Sequence, residues 1–376
     1  MSRRPRRAAS ALAFACGLLA VGLPAEGQLS VRDLVVTGGA SAEGYRGNLP
    51  AVSVPVQDST DVVSALVGEV GARFDAAYQI PGHGAFSLAF DGGLRQFSAR
   101  GFELTDYAPR EWVGTLDLAY ARPLGDRAGV AVRSRLRGRD VEDRPPMPLF
   151  LQPGYRSAEV GLAFDADGPF GIHYDVAVSA DRRDFMVPQL APQIRLLNRD
   201  AASVEVGVLL PGGPTTYMRI FGAVEASRYP DQDTFLPEDP FRKDRTIQGG
   251  ISWTYEADYL LQLAIEGRGN RSNSRRPEYD AVTFRGIFTS SLPGNLAFSA
   301  FGAVTAKQYL HPSEFARLLP GEEANSASMA YVSLTRALAR NLDAAFRVGW
   351  THAETEIGEE YFERFGASFF LHFRPL

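Results

Sequence analysis

The sequence has a single cysteine, Cys16, and it lies in a segment unlike the rest of the chain. In that segment, residues 1–27, four arginines precede 16 uncharged residues, and small residues follow at Ala25 and Gly27. This pattern predicts a secretory signal peptide that is cleaved before Gln28. A lipid anchor on Cys16 is the less favoured alternative. The chain from residue 28 onward then has no cysteine, which excludes a disulfide framework.

After residue 27 the sequence also lacks long hydrophobic runs and any basic patch. No stretch there approaches the roughly 18 apolar residues that a membrane helix needs, so this part could span a membrane only as strands. Removing the four arginines and one glutamate of residues 1–27 from totals of 39 and 44 leaves 35 basic and 43 acidic residues, a net charge of −8. This acidic balance argues against nucleic-acid binding.

Patterns that carry catalysis or bind metals are missing as well. The five histidines come without metal-ligand spacing, a serine nucleophile motif or paired carboxylates. Acidic residues concentrate between positions 229 and 244, but they lack the spacing of a calcium loop and indicate a hydrated loop instead. We therefore expect no enzyme, no catalytic residue, no cofactor and no metal site. The minor alternative is an enzymatic barrel whose catalytic triad is formed by residues that are distant in the sequence.

What the sequence does have is alternation of apolar and polar residues, with two kinds of break. Short breaks rich in Pro, Gly or Asp fall at 80–84, 123–129, 165–171, 211–215, 256–259, 292–295 and 339–342. Longer polar breaks fall near 45–61, 100–111, 141–154, 185–200, 229–244, 271–278, 309–325 and 355–360. The two kinds strictly alternate, which predicts 16 strands. Because the stretches 30–44 and 326–338 alternate weakly, 14 strands is the alternative.

Alternating short and long connections are typical of a transmembrane β-barrel, with short periplasmic turns and longer extracellular loops. The predicted strands, about 11 to 16 residues long, exceed the five or six residues usual in soluble sheets. Their faces differ in polarity: Val204, Val206 and Val208 share one face of a strand whose other face holds Glu205. We predict an all-β protein, a single antiparallel up-and-down barrel over residues 28–376. A soluble sandwich is the alternative, and it gives no reason for the connections to alternate.

The last predicted strand, 361–373, has an aromatic face that would favour aggregation unless its edge were paired and its face met lipid. It resembles the carboxy-terminal signal of bacterial outer-membrane barrel proteins, in the residues Arg364, Gly366, Phe369, Leu371 and Phe373. Family members usually stop at the aromatic residue, whereas this chain continues for three residues. The resemblance implies the outer membrane of a Gram-negative bacterium. Its implied partners are outer-membrane lipids, lipopolysaccharide and the barrel assembly machinery.

A run of arginines spaced by two residues is the most distinctive feature of the predicted lumen. It consists of Arg133, Arg135, Arg137 and Arg139, which lie about 6 to 7 Å apart on one face of one strand. The predicted lumen also holds five acids: Asp117, Glu159, Asp181, Glu205 and Glu266. One interpretation is a basic strip that favours anionic or zwitterionic solutes. The other is that the arginines pair with acids such as Asp117, Glu159 or Asp181 and fill the barrel.

The layout resembles general porins, which implies a passive channel for small hydrophilic solutes. In that family the third outer loop narrows the pore, but the equivalent connection here, 141–154, is short for this task. The segments 185–199 and 309–325 are other candidates for an inward plug, although surface caps are the favoured interpretation. The alternative function is a non-conducting structural or interaction barrel. It would be a surface binding scaffold or a helper in envelope protein assembly or translocation.

Overall fold

The computed structural model describes most of the chain from residue 27 onward. The described ranges are 27–47, 63–100, 110–141, 154–187, 192–234, 238–274, 278–310, 328–354 and 361–375. Apart from residue 27, the expected signal peptide with Cys16 lies outside the described residues. Most of the connection 141–154 and of the segment 309–325 also lies outside them, so the expectations for these segments stay predictions.

Sixteen strands of 12 to 20 residues make up almost all of the described structure. They are β1 (Gln28–Gly47), β2 (Val63–Ile80), β3 (Gly84–Arg100), β4 (Arg110–Pro123), β5 (Ala128–Val141), β6 (Tyr155–Asp167), β7 (His173–Phe185), β8 (Arg199–Pro211), β9 (Thr216–Asp233), β10 (Phe241–Glu256), β11 (Tyr259–Ser272), β12 (Tyr279–Leu292), β13 (Leu296–Tyr309), β14 (Ser328–Ala339), β15 (Leu342–Glu354) and β16 (Tyr361–Phe373). In the described part of the chain, short 3-10 turns lie at Pro169–Gly171 and Pro192–Leu197. Among the described residues, no helix is long and apolar enough to cross a membrane.

Each strand pairs antiparallel with its neighbours in the chain, and β1 pairs with both β2 and β16 to close the barrel. The prediction of a 16-stranded antiparallel barrel is confirmed, and the alternative of 14 strands is wrong. The stretch 30–44 alternates weakly because glycine and alanine occupy much of it, and these residues contribute little to a hydropathy pattern. Backbone hydrogen bonds along both edges hold it as a strand nonetheless.

The connections alternate in length around the barrel, as predicted. Three residues, 81–83, join β2 to β3, whereas 48–62 join β1 to β2. The short turn between β12 and β13 contains Gly294 (φ +81°) and Asn295 (φ +59°), the two residue types that adopt positive φ most readily. The start of β1 and the end of β16 therefore lie at the short-turn end of the barrel, and the strand ends that border the long connections lie at the other.

The outer face of the barrel is apolar, and the inner face is polar. On β6, Val160 and Leu162 point outward and are 58% and 57% exposed, while Ser157, Glu159 and Gly161 point inward and are partly buried. Outward aromatic residues continue this band on other strands, for example Phe284 on β12. The polarity is thus the reverse of that in a soluble globular domain, which buries its large apolar side chains.

Candidate functional site in the barrel lumen

The four arginines of β5 point into the lumen, but they differ in their partners. The strand register places Arg135 opposite Asp117 on β4, and these two side chains form an ion pair. Arg139 donates from Nε to Glu111 at 2.5 Å. Within the described ranges, Arg133 and Arg137 have no carboxylate partner. Two of the four arginines, Arg135 and Arg139, therefore pair with acids, as one interpretation expected, and the other two are available for the basic strip of the other interpretation.

A cluster of five buried or half-buried ionised side chains lies where β1 to β5 approach the long connections. We call it the mouth cluster; it consists of Glu43, Glu69, Arg95, Glu111 and Arg139. Arg95 stands at its centre and donates to Glu43 at 2.5 Å, and to Glu69 and Glu111 at 3.2 Å. The side chains of Glu43 and Glu111 are only 6% and 5% exposed. Arg95 thus supplies hydrogen bonds and positive charge to carboxylates that have little contact with solvent.

Two further arginines bridge acids on neighbouring strands. Arg199 on β8 donates to Asp181 on β7 at 3.2 Å and to Glu225 on β9 at 3.1 Å. Arg219 on β9 contacts Asp175 at 2.9 Å and Glu205 at 2.7 Å. Together with the mouth cluster and the arginines of β5, these pairs make the inward face of β2 to β9 a continuous ionic surface. We call this surface the charged wall.

The inward face of β10 to β14 is built differently, and we call it the hydroxyl wall. Many of its cross-strand contacts are hydrogen bonds between neutral groups: Thr246 with Asn270 (2.8 Å), Gln262 with Thr254 (3.3 Å), Thr283 with Thr305 (3.0 Å) and Thr289 with Ser299 (3.3 Å). A charged contact joins β13 to β12, where the ammonium group of Lys307 lies 4.1 Å from the centre of the Tyr279 ring. It also carries charged residues, such as Glu266 and Arg285. Among the described residues, Arg242 and Asp244 form an ion pair on this wall, near the long-connection end.

Exposure of the inward side chains changes along the barrel axis. In the mouth cluster the side chain of Arg139 is 10% exposed, whereas Arg135, four residues further from the long connections on the same strand, is 42% exposed. Glu205 on the charged wall is 40% exposed, and Arg73 on β2 is 63% exposed. The lumen is therefore accessible to solvent through its middle, and its wall becomes buried toward the long connections.

Part of the chain that contributes to the buried end is the connection between β7 and β8. Its 3-10 turn, Pro192–Leu197, packs against β7 and β9. Ile194 and Leu197 are 1% and 6% exposed. Gln232 of β9 donates to the carbonyl of Leu196 at 2.6 Å, and Asn198 donates to Asp231 at 2.9 Å. The described part of the segment 185–199, which was expected to be a surface cap, is thus fixed to the strand ends, with two apolar side chains buried.

All nine side chains predicted to line the pore lie on inward faces. Asp117 pairs with a β5 arginine, Arg135, as one interpretation expected, but among the described residues the other two acids named as partners do not. Asp181 pairs with Arg199 and not with the β5 arginines. Glu159 faces the lumen between Arg135 and Asp181 on the adjacent strands, and Glu266 lies opposite Thr283. Neither acid has an ion-pair partner among the described residues. Sequence reasoning missed Glu43, Arg95, Glu111, Arg199 and Arg219, although the period of two that identified the β5 arginines also places these residues inward.

The other expected features lie as follows. Five residues of β16 match the carboxy-terminal signal. Arg364 and Gly366 point inward, and Phe369, Leu371 and Phe373 point outward. The acids between positions 229 and 244 are dispersed among separate partners, with Asp231 near Asn198, Asp239 near Lys243 and Asp244 near Arg242. In the described part of the chain, no group of three or more His, Cys, Asp or Glu side chains is arranged to hold a metal ion.

No protein-family model matches the chain, and no curated protein matches it significantly. Several solved structures are similar to it. OccK7 (OpdD) of Pseudomonas aeruginosa is 10% identical, with 92% of this chain and 99% of that chain covered and a TM-score of 0.43. OmpT of Vibrio cholerae is 9% identical (94% and 98% covered, TM-score 0.42), as is Salmonella typhi OmpF in complex with daunomycin (92% and 98% covered, TM-score 0.43).

These similarities concern the fold alone. The architecture itself defines the class of protein. A closed antiparallel barrel with an even number of long strands, an apolar outer face and a polar lumen is the fold of a porin-like outer-membrane barrel.

Proposed function

We propose that the protein resides in the outer membrane and acts as a passive, porin-like channel for small hydrophilic solutes. The observation that carries this proposal is the exposure of ionised side chains through the middle of a closed lumen. Arg135, Asp117 and Glu205 are 42%, 39% and 40% exposed there. Ionised groups this exposed inside a barrel require water around them, because their desolvation would cost several kcal/mol each. A water-filled lumen is the physical basis of passive permeation.

Solute size would be limited at the long-connection end, where the inward side chains of the mouth cluster are buried. Charge preference would arise further in. Strand β5 lies eight strands from β13 in a ring of sixteen, so the charged wall faces the hydroxyl wall across the lumen. Arg133 and Arg137 lack carboxylate partners in the described structure, and so they present positive charge to a passing solute. We infer a preference for anionic or zwitterionic solutes from this arrangement.

Single-channel recording in a planar lipid bilayer tests this proposal. The refolded barrel should show stable open steps, and its reversal potential in a salt gradient should indicate preference for anions. The double variant Arg133→Gln/Arg137→Gln should lose most of that preference. The matched control, Thr283→Val/Thr305→Val on the hydroxyl wall, should keep it. A folded barrel that inserts into the bilayer without any open steps would contradict the channel.

The second candidate function is a non-conducting structural or interaction barrel. The observation that favours it is the burial of Glu43 and Glu111 at the long-connection end, because this burial shows that the end is packed. We infer the same location and partners for either function, namely outer-membrane lipids, lipopolysaccharide and the barrel assembly machinery. Assembly of a Phe373→Ser variant should be slower than that of the unaltered chain in membranes that contain the machinery, and equal in detergent.

A further inference from the structure

Three inward side chains of the charged wall lie side by side on β5, β6 and β7. The strand register places Arg137 opposite Ser157, and Ser157 opposite Arg183. Neighbouring strands are about 4.8 Å apart, so Arg137 and Arg183 flank the serine at a separation of about 10 Å. Because serine is small, no bulky side chain separates the two arginines. Their long side chains can therefore bring both guanidinium groups together in front of the serine hydroxyl.

Two acids lie near these arginines, but neither forms an ion pair with them: Asp181 attracts Arg183 and is bound by Arg199, and Glu159 is the next lumen-facing residue after Ser157 on β6. Within the described residues, neither Arg137 nor Arg183 forms an ion pair. Arg199 lies opposite Arg183 on β8 and forms ion pairs with Asp181 and Glu225. Arg183 is close enough to Arg199 and Arg137 for the positive charges to repel one another. Repulsion between partly buried guanidinium groups favours an anion between them.

Hydrogen-bond donors around this row also lack acceptors. The Nε atoms of Arg183 and Arg199 and the Nη1 atom of Arg139 are buried and have no hydrogen-bond partner in the described structure. Arg139 is the next lumen-facing residue after Arg137, and its side chain is nine-tenths buried. Buried donors are rarely left without an acceptor in folded proteins. Three such donors on neighbouring arginines indicate that this part of the wall is short of acceptors.

Arg183 is held in position by an aromatic side chain. Its guanidinium lies over the ring of Tyr155 on β6, 5.2 Å from the ring centre. Tyr155 in turn lies opposite Arg139 on β5 and Phe185 on β7, and its ring is 5.9 Å from that of Phe185. A guanidinium stacked on a ring keeps its N–H groups in the plane available for a ligand. The wall therefore orients the donor before any ligand binds.

We propose that Arg137, Ser157 and Arg183 form a binding subsite for an oxyanion, which receives the carboxylate or phosphate group of a small solute. An oxyanion offers acceptors for both guanidinium groups and for the serine hydroxyl, and its charge removes the repulsion between the arginines. The inference deepens the proposed channel function, on which it rests for the route by which a solute arrives. It differs from a basic strip along β5, because the site runs across three strands.

Calorimetric titration of the folded barrel in detergent tests the site, with inorganic phosphate and acetate as separate probes. At least one probe should bind the unaltered barrel. Arg137→Gln and Arg183→Gln should each weaken that binding about tenfold or more, because each removes charge-assisted hydrogen bonds. The matched control is Arg133→Gln, which removes an equally unpaired arginine from the same face of β5 but lies outside the row. It should change the affinity less than twofold.

The outcomes separate the site from its alternatives. Binding of phosphate alone would assign a phosphate group, and binding of acetate alone a carboxylate. Absence of binding by both probes would overturn the proposal. So would equal losses in the Arg133→Gln and Arg137→Gln variants, because that result would indicate diffuse electrostatic attraction. If Arg183→Gln did not fold, Arg137→Gln and Ser157→Val would still test the site, since a valine would block the gap between the arginines.

The test in detergent does not depend on conduction. A barrel that conducts in a bilayer and binds neither probe would refute the subsite and leave the channel intact. A barrel that binds phosphate and shows no open steps would refute the channel and leave the subsite intact. The two proposals can therefore fail separately.

Discussion

The two walls of the lumen solve the same problem with different chemistry. Each must hold polar side chains inside a closed barrel, where backbone hydrogen bonds already occupy the strands. The charged wall joins its strands through arginines that bridge two or three acids, such as Arg95 and Arg219. The hydroxyl wall joins its strands through short neutral side chains, such as Thr283 and Thr305.

The difference shows how a lumen can be both rigid and asymmetric. Ion pairs fix long arginine side chains in place, so the charge along β2 to β9 has a defined position. Hydroxyl groups occupy less space and carry no charge, so the wall opposite can leave room for solute and water. If this comparison is right, the two walls should respond differently to equivalent substitutions.

The largest effect is expected for Arg95 in the mouth cluster. Arg95→Met leaves Glu43 and Glu111, which are 6% and 5% exposed, without their central counter-ion. Removal of one partner from a buried ionic group costs about 3 to 5 kcal/mol, because the remaining charge stays buried. The free energy of unfolding in urea, measured on the barrel in detergent micelles, should fall by about this amount.

Arg73→Met on the same wall is the control for that substitution. Arg73 lies 3.7 Å from Asp33, and the two side chains are 63% and 34% exposed. An exposed pair contributes at most about 1 kcal/mol, so the variant should remain close to the unaltered barrel. Adding Glu43→Gln to Arg95→Met should restore part of the loss. Equal losses for Arg95→Met and Arg73→Met would show that the buried ion pairs of the mouth cluster contribute no more to stability than an exposed pair.

A second pair of substitutions compares the outside of β12 with the hydroxyl wall. Phe284 points outward and is 53% exposed, while its neighbour Thr283 points into the lumen. Phe284→Arg should cost about 2 to 4 kcal/mol in a bilayer, because the charge would face hydrocarbon. Thr283→Arg should cost less and should increase anion preference, since water reaches the lumen. Refolding into lipid vesicles under urea measures both. A larger loss for Thr283→Arg would contradict the assignment of the two faces.

The sequence was sufficient to predict the strand number, the alternating connections and the inward position of nine lumen-facing side chains. Each of these properties depends on a pattern within one strand or on the spacing of breaks. Apart from the pair of Arg135 with Asp117, which was among the expected pairings, the ion pairs were not predicted, because they depend on the register between two strands. Whether Asp181 reaches Arg199 is decided by how β7 and β8, which are separated by a long polar connection, align. Nothing in the spacing of residues along one strand specifies that alignment.

The neutral contacts of the hydroxyl wall should contribute less than the ion pairs. The Oγ1 atoms of Thr283 and Thr305 are 3.0 Å apart, and both side chains are half-buried. Thr283→Val should cost about 0.5 to 1.5 kcal/mol, because the hydroxyl of Thr305 loses its partner. The double variant Thr283→Val/Thr305→Val should be less destabilised than the single variant, since it leaves no unpaired hydroxyl. Urea unfolding of both proteins in one detergent provides the comparison. A double variant that loses twice as much as the single one would refute the coupling.

The smallest effect is expected at the boundary between the walls, in the connection from β9 to β10. Asp239 accepts hydrogen bonds from Lys243 at 2.6 Å and from Asn273 at 3.0 Å. The bond from Lys243 is the main reason why the pKa of Asp239 is lower than its ordinary value. A carboxyl group with a lowered pKa stabilises the folded state above its unfolded pKa, and this contribution is lost as the pH falls through the folded pKa.

Asp239→Asn should therefore slightly lower stability at neutral pH and leave it unchanged at a pH below the folded pKa. The effect should be small and should shrink in salt, because this pair lies at the surface. Urea midpoints at acidic and neutral pH, each at low and high salt, measure it. The variant Asp239→Asn/Lys243→Met should behave like Asp239→Asn alone, since either substitution removes the same pair. An additional loss in the double variant would show that Lys243 stabilises the connection through another contact.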